Sequence, residues 1–306
     1  MRKGKGNWAG RALAFFLGVI LTVVIIRQQY LIVGKNQLIS QLRKRLWEAS
    51  GDAAPSLASL ASLGMGLPSP STTYLDDAVP RIIHQMAGAN TTSWPASWNV
   101  CRASWLSTFP SPEFTHRLWD DAELDAFMKQ NFEAFYPTYT SLPQNINRID
   151  MARYFILYLH GGVYADMDML ALRNFFPSLP AGKVSVAESP WKREPFQNAL
   201  MASPARHPYW HYIFSELLAQ SRRKPSDAFR GVVSMTGPFL INAVRNIVPP
   251  NLFHALPRDQ FSPPAARGAS GAGDFGKGVF TAHLGTCSWC PEQQKKENQA
   301  PPRPDE

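Results

Sequence analysis

A helical stretch that ends at two consecutive glycines constrains the fold of this chain most strongly. Residues 145–160 (NINRIDMARYFILYLH) are apolar over most of their length, and Gly161 and Gly162 follow directly. Glycine often ends helices because it adopts left-handed backbone conformations at little steric cost. Residues 163–169 (VYADMDM) then have the composition of a buried strand. The pattern predicts a helix over 145–160, a glycine turn and a strand over 163–169.

Two apolar segments that precede this unit also predict strands. They are residues 79–84 (VPRIIH) and 114–119 (FTHRLW). Asp120 and Asp121 come next and predict the start of a helix, because a carboxylate caps the first backbone N–H groups and suits the helix dipole. Strands that alternate with helices predict an α/β sandwich with a mostly parallel sheet. In such sheets, ligands bind at the carboxyl ends of the strands.

Two carboxylates lie on the predicted strand over 163–169. Asp166 and Asp168 are two positions apart, and such positions on a strand face the same way. An apolar strand does not bury two like charges without a counter-ion, because their desolvation and repulsion are costly. Carboxylate oxygens suit Mg²⁺ or Mn²⁺, with a bound diphosphate as a further ligand. The pair predicts a divalent-cation site, with an ordinary surface turn as the alternative.

The predicted helix carries an acid and a base on one face. Asp150 and Arg153 are three residues apart, and their apolar neighbours indicate that both are partly covered. A covered pair beside two aspartates suits ribose hydroxyls and phosphate, and a surface ion pair is the alternative. Gly161 and Gly162 also have two interpretations, a plain helix end or a place where the backbone approaches a ligand closely.

The excess of positive charge is confined to the N-terminal end. The chain has 306 residues, with 31 Lys and Arg against 23 Asp and Glu, and a net charge of +8. Residues 1–50 hold nine basic residues and one acidic residue, so residues 51–306 are neutral overall. Nucleic-acid-binding domains need a basic surface. We therefore expect no nucleic-acid partner.

An apolar segment near the N-terminus predicts a membrane anchor. Residues 12–26 carry no charge, and Trp8 and Tyr30 stand on either side, as interfacial aromatic residues do around membrane spans. We predict an uncleaved signal-anchor helix over 12–33. A cleaved signal peptide and a buried helix are the alternatives.

Composition divides the chain into five parts. Residues 50–73 are rich in Ser, Ala, Gly and Pro and predict a flexible linker, and residues 262–278 predict a long mobile loop. The predicted parts are a short cytoplasmic tail (1–11), the signal anchor (12–33), a stem (34–75), one globular domain (76–290) and a disordered tail (291–306).

The helix–glycine–strand unit is similar to the signature of a known enzyme family. That signature reads R-x-D-x-x-R-Y, then L-Y, then G-G-x-Y-x-D-x-D. On these residues the chain resembles the family 32 glycosyltransferases, the DxD sugar-binding group that includes inositol phosphoceramide mannosyltransferases and Golgi initiating α-1,6-mannosyltransferases. The matching residues are Arg148, Asp150, Arg153, Tyr154, Leu157, Tyr158, Gly161, Gly162, Tyr164, Asp166 and Asp168.

Other segments extend the resemblance over about residues 79–289. They are residues 80–85 (PRIIHQ), 118–121 (LWDD), 206–208 (RHP), 236–238 (TGP) and 283–289 (HLGTCSW). In the last of these, Thr286 and Cys287 form an insertion relative to the family pattern.

The resemblance implies a fold and a set of site residues. It implies a GT-A type, Rossmann-like nucleotide-sugar-binding domain with a Mn²⁺ or Mg²⁺ ion held by Asp166, Asp168 and His283. Asp166, Asp168 and Arg153 are implied as catalytic residues. The implied donor-binding residues are His84, Arg148, Asp150, Arg153, Tyr164, Ser288 and Trp289, and the implied acceptor-side residues are Gly237 and Pro238.

The resemblance also implies an activity and a location. It implies a metal-dependent retaining glycosyltransferase that transfers a hexose to a glycolipid such as inositol phosphoceramide or to a glycan. The hexose it implies foremost is mannose, with GDP-mannose as the donor. It further implies a single-pass type II Golgi membrane protein with a lumenal catalytic domain. A UDP-sugar-dependent enzyme of the same fold and a catalytically inactive, membrane-anchored glycan-binding protein are the alternatives. The sequence gives no indication of a regulatory or complex subunit.

Three cysteines leave the disulfide pairing open. Cys287 and Cys290 form a C-x-x-C, and Cys101 is the third. A structural zinc site would need a fourth ligand. In an oxidising lumen we expect one bridge and one free thiol, and a bond from Cys101 to one of the other two is one possibility.

Overall fold

The computed structural model describes residues 77–191, 195–221, 228–264, 275–287 and 290. These residues belong to one of two compact units, Ala53–Glu306. Four of the predicted parts lie outside the described residues: the cytoplasmic tail, the signal anchor, the stem and the C-terminal tail. Most of the predicted loop over 262–278 also lies outside them. Within the described ranges, no helix has the length and apolar composition that a membrane crossing requires.

Strands and helices alternate along the described part of the chain. The strands there are β1 (Ile82–Met86), β2 (Thr115–Trp119), β3 (Gly162–Ala165), β4 (Met169–Ala171), β5 (Val184–Glu188), β6 (Phe196–Ser203), β7 (Phe253–Leu256) and β8 (Thr281–His283). The α-helices are α1 (Ala96–Thr108), α2 (Asp121–Asn131), α3 (Tyr136–Ser141), α4 (Asn145–His160), α5 (Tyr209–Ser221), α6 (Ala228–Met235), α7 (Pro238–Arg245) and α8 (Arg258–Phe261).

Six of the strands form one mixed sheet in the order β2-β1-β3-β6-β5-β7. β1 runs parallel to β2 and β3, and β5 runs parallel to β7, whereas β6 is antiparallel to both β3 and β5. The predicted α/β architecture is confirmed. The expectation of a mostly parallel sheet is confirmed as well, because five of these six strands run in one direction and β6 alone opposes them. The connection from β5 to β6 is too short for the crossover that parallel strands need.

Helix α4 spans Asn145–His160, as the sequence predicts, and two glycines with positive φ join it to β3. Gly161 has φ 64° and Gly162 has φ 92°. A Cβ on Gly161 would lie 2.7 Å from the backbone nitrogen of Ala205, and one on Gly162 would lie 2.5 Å from the carbonyl oxygen of Ile82. Both glycines are therefore required for close contact between protein segments.

The predicted strand over 163–169 is wrong in its second half. β3 ends at Ala165, where the N–H of Asp166 donates to the carbonyl of Ala199 at 2.9 Å. The N–H of Met169 then donates to the carbonyl of Asp166 at 3.0 Å, which closes a turn. Asp166 and Asp168 therefore lie in a turn between two strands, and not on one face of a strand.

A second, two-stranded sheet brings the C-terminal segment to this turn. β4 pairs antiparallel with β8, and Met169 lies opposite His283. Helix α1 packs on this pair, and the indole of Trp105 donates to the carbonyl of Met169 at 2.7 Å. Residues far apart in the sequence thus meet at the carboxyl end of β3.

Candidate active site

The turn that contains Asp166 and Asp168 lies at the carboxyl end of β3, where ligands bind in open α/β sheets. The side chain of Asp166 is 29% exposed, whereas that of Asp168 is 10% exposed. Each carboxylate is held by a different part of the chain. Arg153 of α4 contacts Asp166, and the segment that follows β8 contacts Asp168.

Arg153 is buried and holds Asp166 from inside the domain. Its Nη1 lies 3.0 Å from Oδ1 of Asp166 and also donates to the carbonyl of Asn198 at 3.0 Å. Its Nη2 lies 2.7 Å from Oδ1 of Asp150. The guanidinium carbon lies 4.6 Å from the centre of the Tyr164 ring, and the Tyr164 hydroxyl donates to Oδ1 of Asp166. Arg153 and Tyr164 together fix the orientation of the Asp166 carboxylate.

Asp150 is enclosed by donors from the protein. Besides Arg153, its carboxylate accepts from Nδ2 of Asn198 at 2.9 Å and from the hydroxyl of Thr236 at 3.1 Å. Asp150 is 4% exposed. In this arrangement its carboxylate anchors Arg153.

Asp168 is held by residues that follow β8. Its Oδ2 accepts from the backbone N–H of Thr286 at 2.8 Å and from the hydroxyl of Thr286 at 2.9 Å. Its Oδ1 lies 3.4 Å from Nε2 of His283. Burial raises the pKa of Asp168, but the charge of His283 and the hydrogen bonds from both residues outweigh burial and bring the pKa to about 2. Asp168 is therefore ionised at neutral pH.

His283 is oriented by β6. Its Nδ1 donates to Oε1 of Gln197 at 2.7 Å, which points Nε2 at Asp168. Burial lowers the pKa of His283, but the Asp168 carboxylate raises it above its ordinary value. A histidine whose second nitrogen is fixed in this way is the usual arrangement for a metal ligand.

The donor set of the turn suits Mg²⁺ or Mn²⁺. Asp166, Asp168 and His283 supply two carboxylates and an imidazole, as the sequence resemblance implies. Within the described ranges, no group of three or more His, Cys, Asp or Glu side chains is arranged so that it could hold a metal ion by itself. Mg²⁺ in proteins is commonly held by one or two carboxylates, and substrate phosphates and water complete its coordination shell. The residues therefore fit a cation that binds together with a diphosphate.

His84 lies in the middle of β1 with both ring nitrogens paired. Its Nε2 donates to the carbonyl of Gly161 at 3.0 Å, and its Nδ1 accepts from the indole of Trp119 at 3.2 Å. Burial lowers its pKa to about 3. The side chain is thus neutral and joins β1 to the end of α4.

Of the five other implied residues, three lie on α4 or at the junction of α6 and α7, and two lie outside the described ranges. Arg148 is partly exposed and donates to Asn145 at 3.3 Å in the first turn of α4. Gly237 packs closely on α6, since a Cβ there would lie 2.9 Å from Cα of Val233, and Pro238 begins α7. Ser288 and Trp289 lie outside the described residues.

Several residues of the site were not selected from the sequence. Thr236 belongs to the T-G-P segment and Thr286 to the insertion, so both had a sequence signal. The adjacent polar pair Gln197 and Asn198 lies buried in β6 and orients His283 and Asp150. A buried polar pair within an apolar strand is the signal that would have indicated them.

The disulfide pairing that the sequence leaves open is resolved. Cys287 is bonded to Cys290, and Cys101 is a free, buried thiol. The bridge therefore lies directly after Thr286, next to the site.

Comparison with known proteins finds a similarity that includes this turn. Residues 95–186 match the family described as "Glycosyltransferase sugar-binding region containing DXD motif". A mannosyl phosphorylinositol ceramide synthase of Saccharomyces cerevisiae is 31% identical over 166 residues, which are 54% of this chain and 42% of that protein. Inositol phosphoceramide mannosyltransferase 3 of Schizosaccharomyces pombe is 31% identical over 173 residues, 55% of this chain and 45% of that one.

A third relative is the initiation-specific alpha-1,6-mannosyltransferase of Saccharomyces cerevisiae, 30% identical over 90 residues, 28% of this chain and 18% of that protein. This chain spans less than half the length of these three relatives. The family match includes α4, both glycines and the Asp166–Asp168 turn, and it confirms the resemblance carried by the sequence signature. Residues 95–186 of this chain are thus similar to the glycosyltransferase sugar-binding region that contains the DXD motif.

Proposed function

We propose that this protein is a metal-dependent, retaining glycosyltransferase with a GT-A type catalytic domain. In this proposal it transfers mannose from GDP-mannose to inositol phosphoceramide or to a glycan, in the Golgi lumen, and an anchor over residues 12–33 holds it in the membrane. The names of the relatives support the sugar and the acceptor class. The observation that carries the proposal is the position of Asp166 and Asp168 in one turn at the carboxyl end of β3.

Asp166, Asp168 and His283 are the residues that would hold a Mn²⁺ or Mg²⁺ ion. When bound, such a cation neutralises the negative charge that develops on the departing nucleoside diphosphate. Arg153 and Tyr164 hold Asp166 in place from inside the domain. The orientation of the two carboxylates is thus set before substrate arrives, which is how a site stabilises a transition state without reorganisation.

The transfer itself breaks the bond between the anomeric carbon and the diphosphate oxygen and forms a bond to the acceptor oxygen. The proton of the acceptor hydroxyl passes to the departing phosphate. We infer that both events occur on one face of the sugar, because Asp166 and Asp168 are assigned to the cation and the sequence offers no obvious second nucleophilic carboxylate. Detection of a covalent glycosyl-enzyme by mass spectrometry would contradict this inference.

A donor screen with the full chain tests the proposal. The chain is incubated with Mn²⁺ and GDP-mannose, UDP-glucose, UDP-galactose or UDP-N-acetylglucosamine, with and without inositol phosphoceramide, and nucleotide release and lipid product are measured. We expect GDP-mannose to be consumed, faster with the lipid present, and Asp168→Asn to abolish consumption. Consumption of a UDP-sugar alone would overturn the assigned donor. Absence of turnover with every donor, together with retained sugar binding, would favour an inactive glycan-binding protein.

A further inference from the structure

Thr286 makes two hydrogen bonds to a single oxygen of Asp168. Its backbone N–H donates to Oδ2 at 2.8 Å and its hydroxyl donates to the same oxygen at 2.9 Å. The other oxygen, Oδ1, faces Nε2 of His283 at 3.4 Å. The two oxygens of this carboxylate therefore have different surroundings, one engaged by a neutral residue and one directed at an imidazole.

The hydroxyl of Thr286 also accepts a hydrogen bond from helix α1. The indole Nε1 of Trp98 lies 3.4 Å from Oγ1 of Thr286 and donates to it. Because Oγ1 accepts from Trp98, its own proton is directed at Asp168. Trp98 and Thr286 are 188 positions apart in the sequence, so this contact joins α1 to the C-terminal segment at the site.

The backbone of Thr286 is also restrained. Leu284 donates its N–H to the carbonyl of Asp168 at 3.0 Å, two residues before Thr286. The Cys287–Cys290 bridge follows Thr286 directly, and the N–H of Cys290 donates to the carbonyl of Cys287 at 3.0 Å. Thr286 is thus fixed on both sides along the chain.

We propose that Thr286 is a positioning residue that engages Oδ2 of Asp168 and reserves Oδ1 as the single oxygen with which Asp168 ligates a divalent cation. The inference rests on the proposed function of the DXD turn. It assigns a role to a residue that stands where the chain carries an insertion. A carboxylate with one oxygen engaged binds a cation through the other in one orientation, so the hydroxyl lowers the cost of ordering the ligand.

The test measures binding of Mn²⁺ with GDP, and separately with UDP, to the purified full chain by isothermal titration calorimetry. Thr286→Val keeps the shape of the side chain and removes the hydroxyl, and Thr286→Ser restores the hydroxyl. Thr281→Val is the matched control, because the buried Thr281 hydroxyl donates to the carbonyl of Phe261 and not to Asp168. Asp168→Asn reports whether the turn binds the cation at all.

We expect Thr286→Val to weaken Mn²⁺-dependent nucleotide binding about 10- to 100-fold, the range found when residues that orient a metal ligand are removed. Thr286→Ser regains most of this loss, and Thr281→Val keeps the wild-type affinity although it also loses a buried hydroxyl. In an assay of sugar transfer, we expect the Thr286→Val variant to need a higher Mn²⁺ concentration than the wild type for its half-maximal rate. Its kcat should reach the wild-type value at saturating Mn²⁺.

Two results would overturn the inference in distinguishable ways. If Asp168→Asn loses binding but Thr286→Val binds as tightly as the wild type, Thr286 has no positioning role and the proposed function stands. If the wild type shows no Mn²⁺-dependent binding of either nucleotide, the proposed function itself fails, and the role of Thr286 at a cation fails with it.

Discussion

The guanidinium of Arg153 lies 3.0 Å from the carboxylate of Asp166, across the junction between helix α4 and the turn after β3. The same guanidinium lies 2.7 Å from Asp150, so one buried cation is shared by two carboxylates. The pairing explains how an apolar helix can carry two charged residues in the interior. Through Arg153, the buried Asp150 is also connected to Asp166, the more exposed carboxylate of the turn.

Replacement of Arg153 by Met is expected to lower the free energy of unfolding by about 3–5 kcal/mol, because it leaves two carboxylates without their counter-ion in the interior. Urea denaturation followed by circular dichroism measures the loss. The control is Arg81→Met, which breaks an ion pair with Glu113 whose side chains are 59% and 50% exposed. That change should cost less than about 1 kcal/mol. Equal losses for the two variants would contradict the central role of Arg153.

Replacement of Gly162 by Ala is expected to destabilise the domain by more than about 3 kcal/mol. The residue has φ 92°, and its new Cβ would lie 2.5 Å from the carbonyl oxygen of Ile82 on the neighbouring strand. Gly88→Ala is the control, since no atom lies within 4 Å of a Cβ there, and it should change stability by less than about 0.5 kcal/mol. Thermal unfolding measures both. A mild effect at Gly162 would show that β1 and β3 move apart easily.

His84 is expected to make the fold sensitive to acid. Its pKa is lowered to about 3 in the folded chain by burial, against an ordinary value of 6.5. The unfolded chain therefore binds the proton first as pH falls, and stability is lost between pH 6.5 and about 3. The loss is about 1.4 kcal/mol for each pH unit in that window.

His84→Gln tests this dependence, because glutamine can donate to Gly161 and accept from Trp119 without titrating. Urea unfolding of the variant across pH 7.5 to 4 should show a shallower decline than the wild type. His254→Gln is the comparison, since His254 is only partly buried and should alter the slope less. Parallel curves for His84→Gln and the wild type would refute the expectation.

Thiol titration is expected to find one free thiol in the unfolded, unreduced chain and three after reduction. The free thiol is Cys101, and the bridge joins Cys287 to Cys290. Cys101→Ala should therefore abolish the signal before reduction. A remaining signal in that variant would mean that Cys287 and Cys290 are not bonded to each other in the isolated protein.

The sequence predicts the local elements well where the signals are local. Helix α4 has the bounds that its apolar run and the two glycines indicate. Asp120 caps α2 as expected, with its carboxylate accepting from the N–H of Glu123 and the Glu123 carboxylate accepting from the N–H of Asp120. Both features depend on residues within one or two turns of each other, which a sequence pattern records directly.

The strand over 163–169 shows where this reasoning fails. Its composition favours one continuous strand, but β3 ends at Ala165, the last residue paired with β6. The partner strand begins at Phe196, about thirty residues later in the sequence, and its antiparallel direction has no local signal. The convergence of Asp166 and Asp168 therefore comes from a turn, and the distinction depends on tertiary pairing.

The site residues also divide into those that a sequence pattern indicates and those that only tertiary contacts reveal. The residue pattern itself indicates the two carboxylates and Arg153, the family resemblance adds His283, and the structure places all four around one turn. Their partners Gln197 and Thr286 come from other strands and loops, and only their contacts reveal what they do. For His84, the pattern indicates a polar residue near a strand end, but both of its nitrogens are used inside the domain.

The contact between Asp168 and Thr286 spans 118 positions of the chain. During synthesis, the ribosome releases the DXD turn long before it releases the threonine that holds it. A nascent chain can therefore pair β1, β2 and β3 while Asp168 still lacks Thr286. The DXD turn is then among the last parts of this domain to mature, and an interrupted chain that stops before His283 would carry the DXD signature without the residues that hold Asp168.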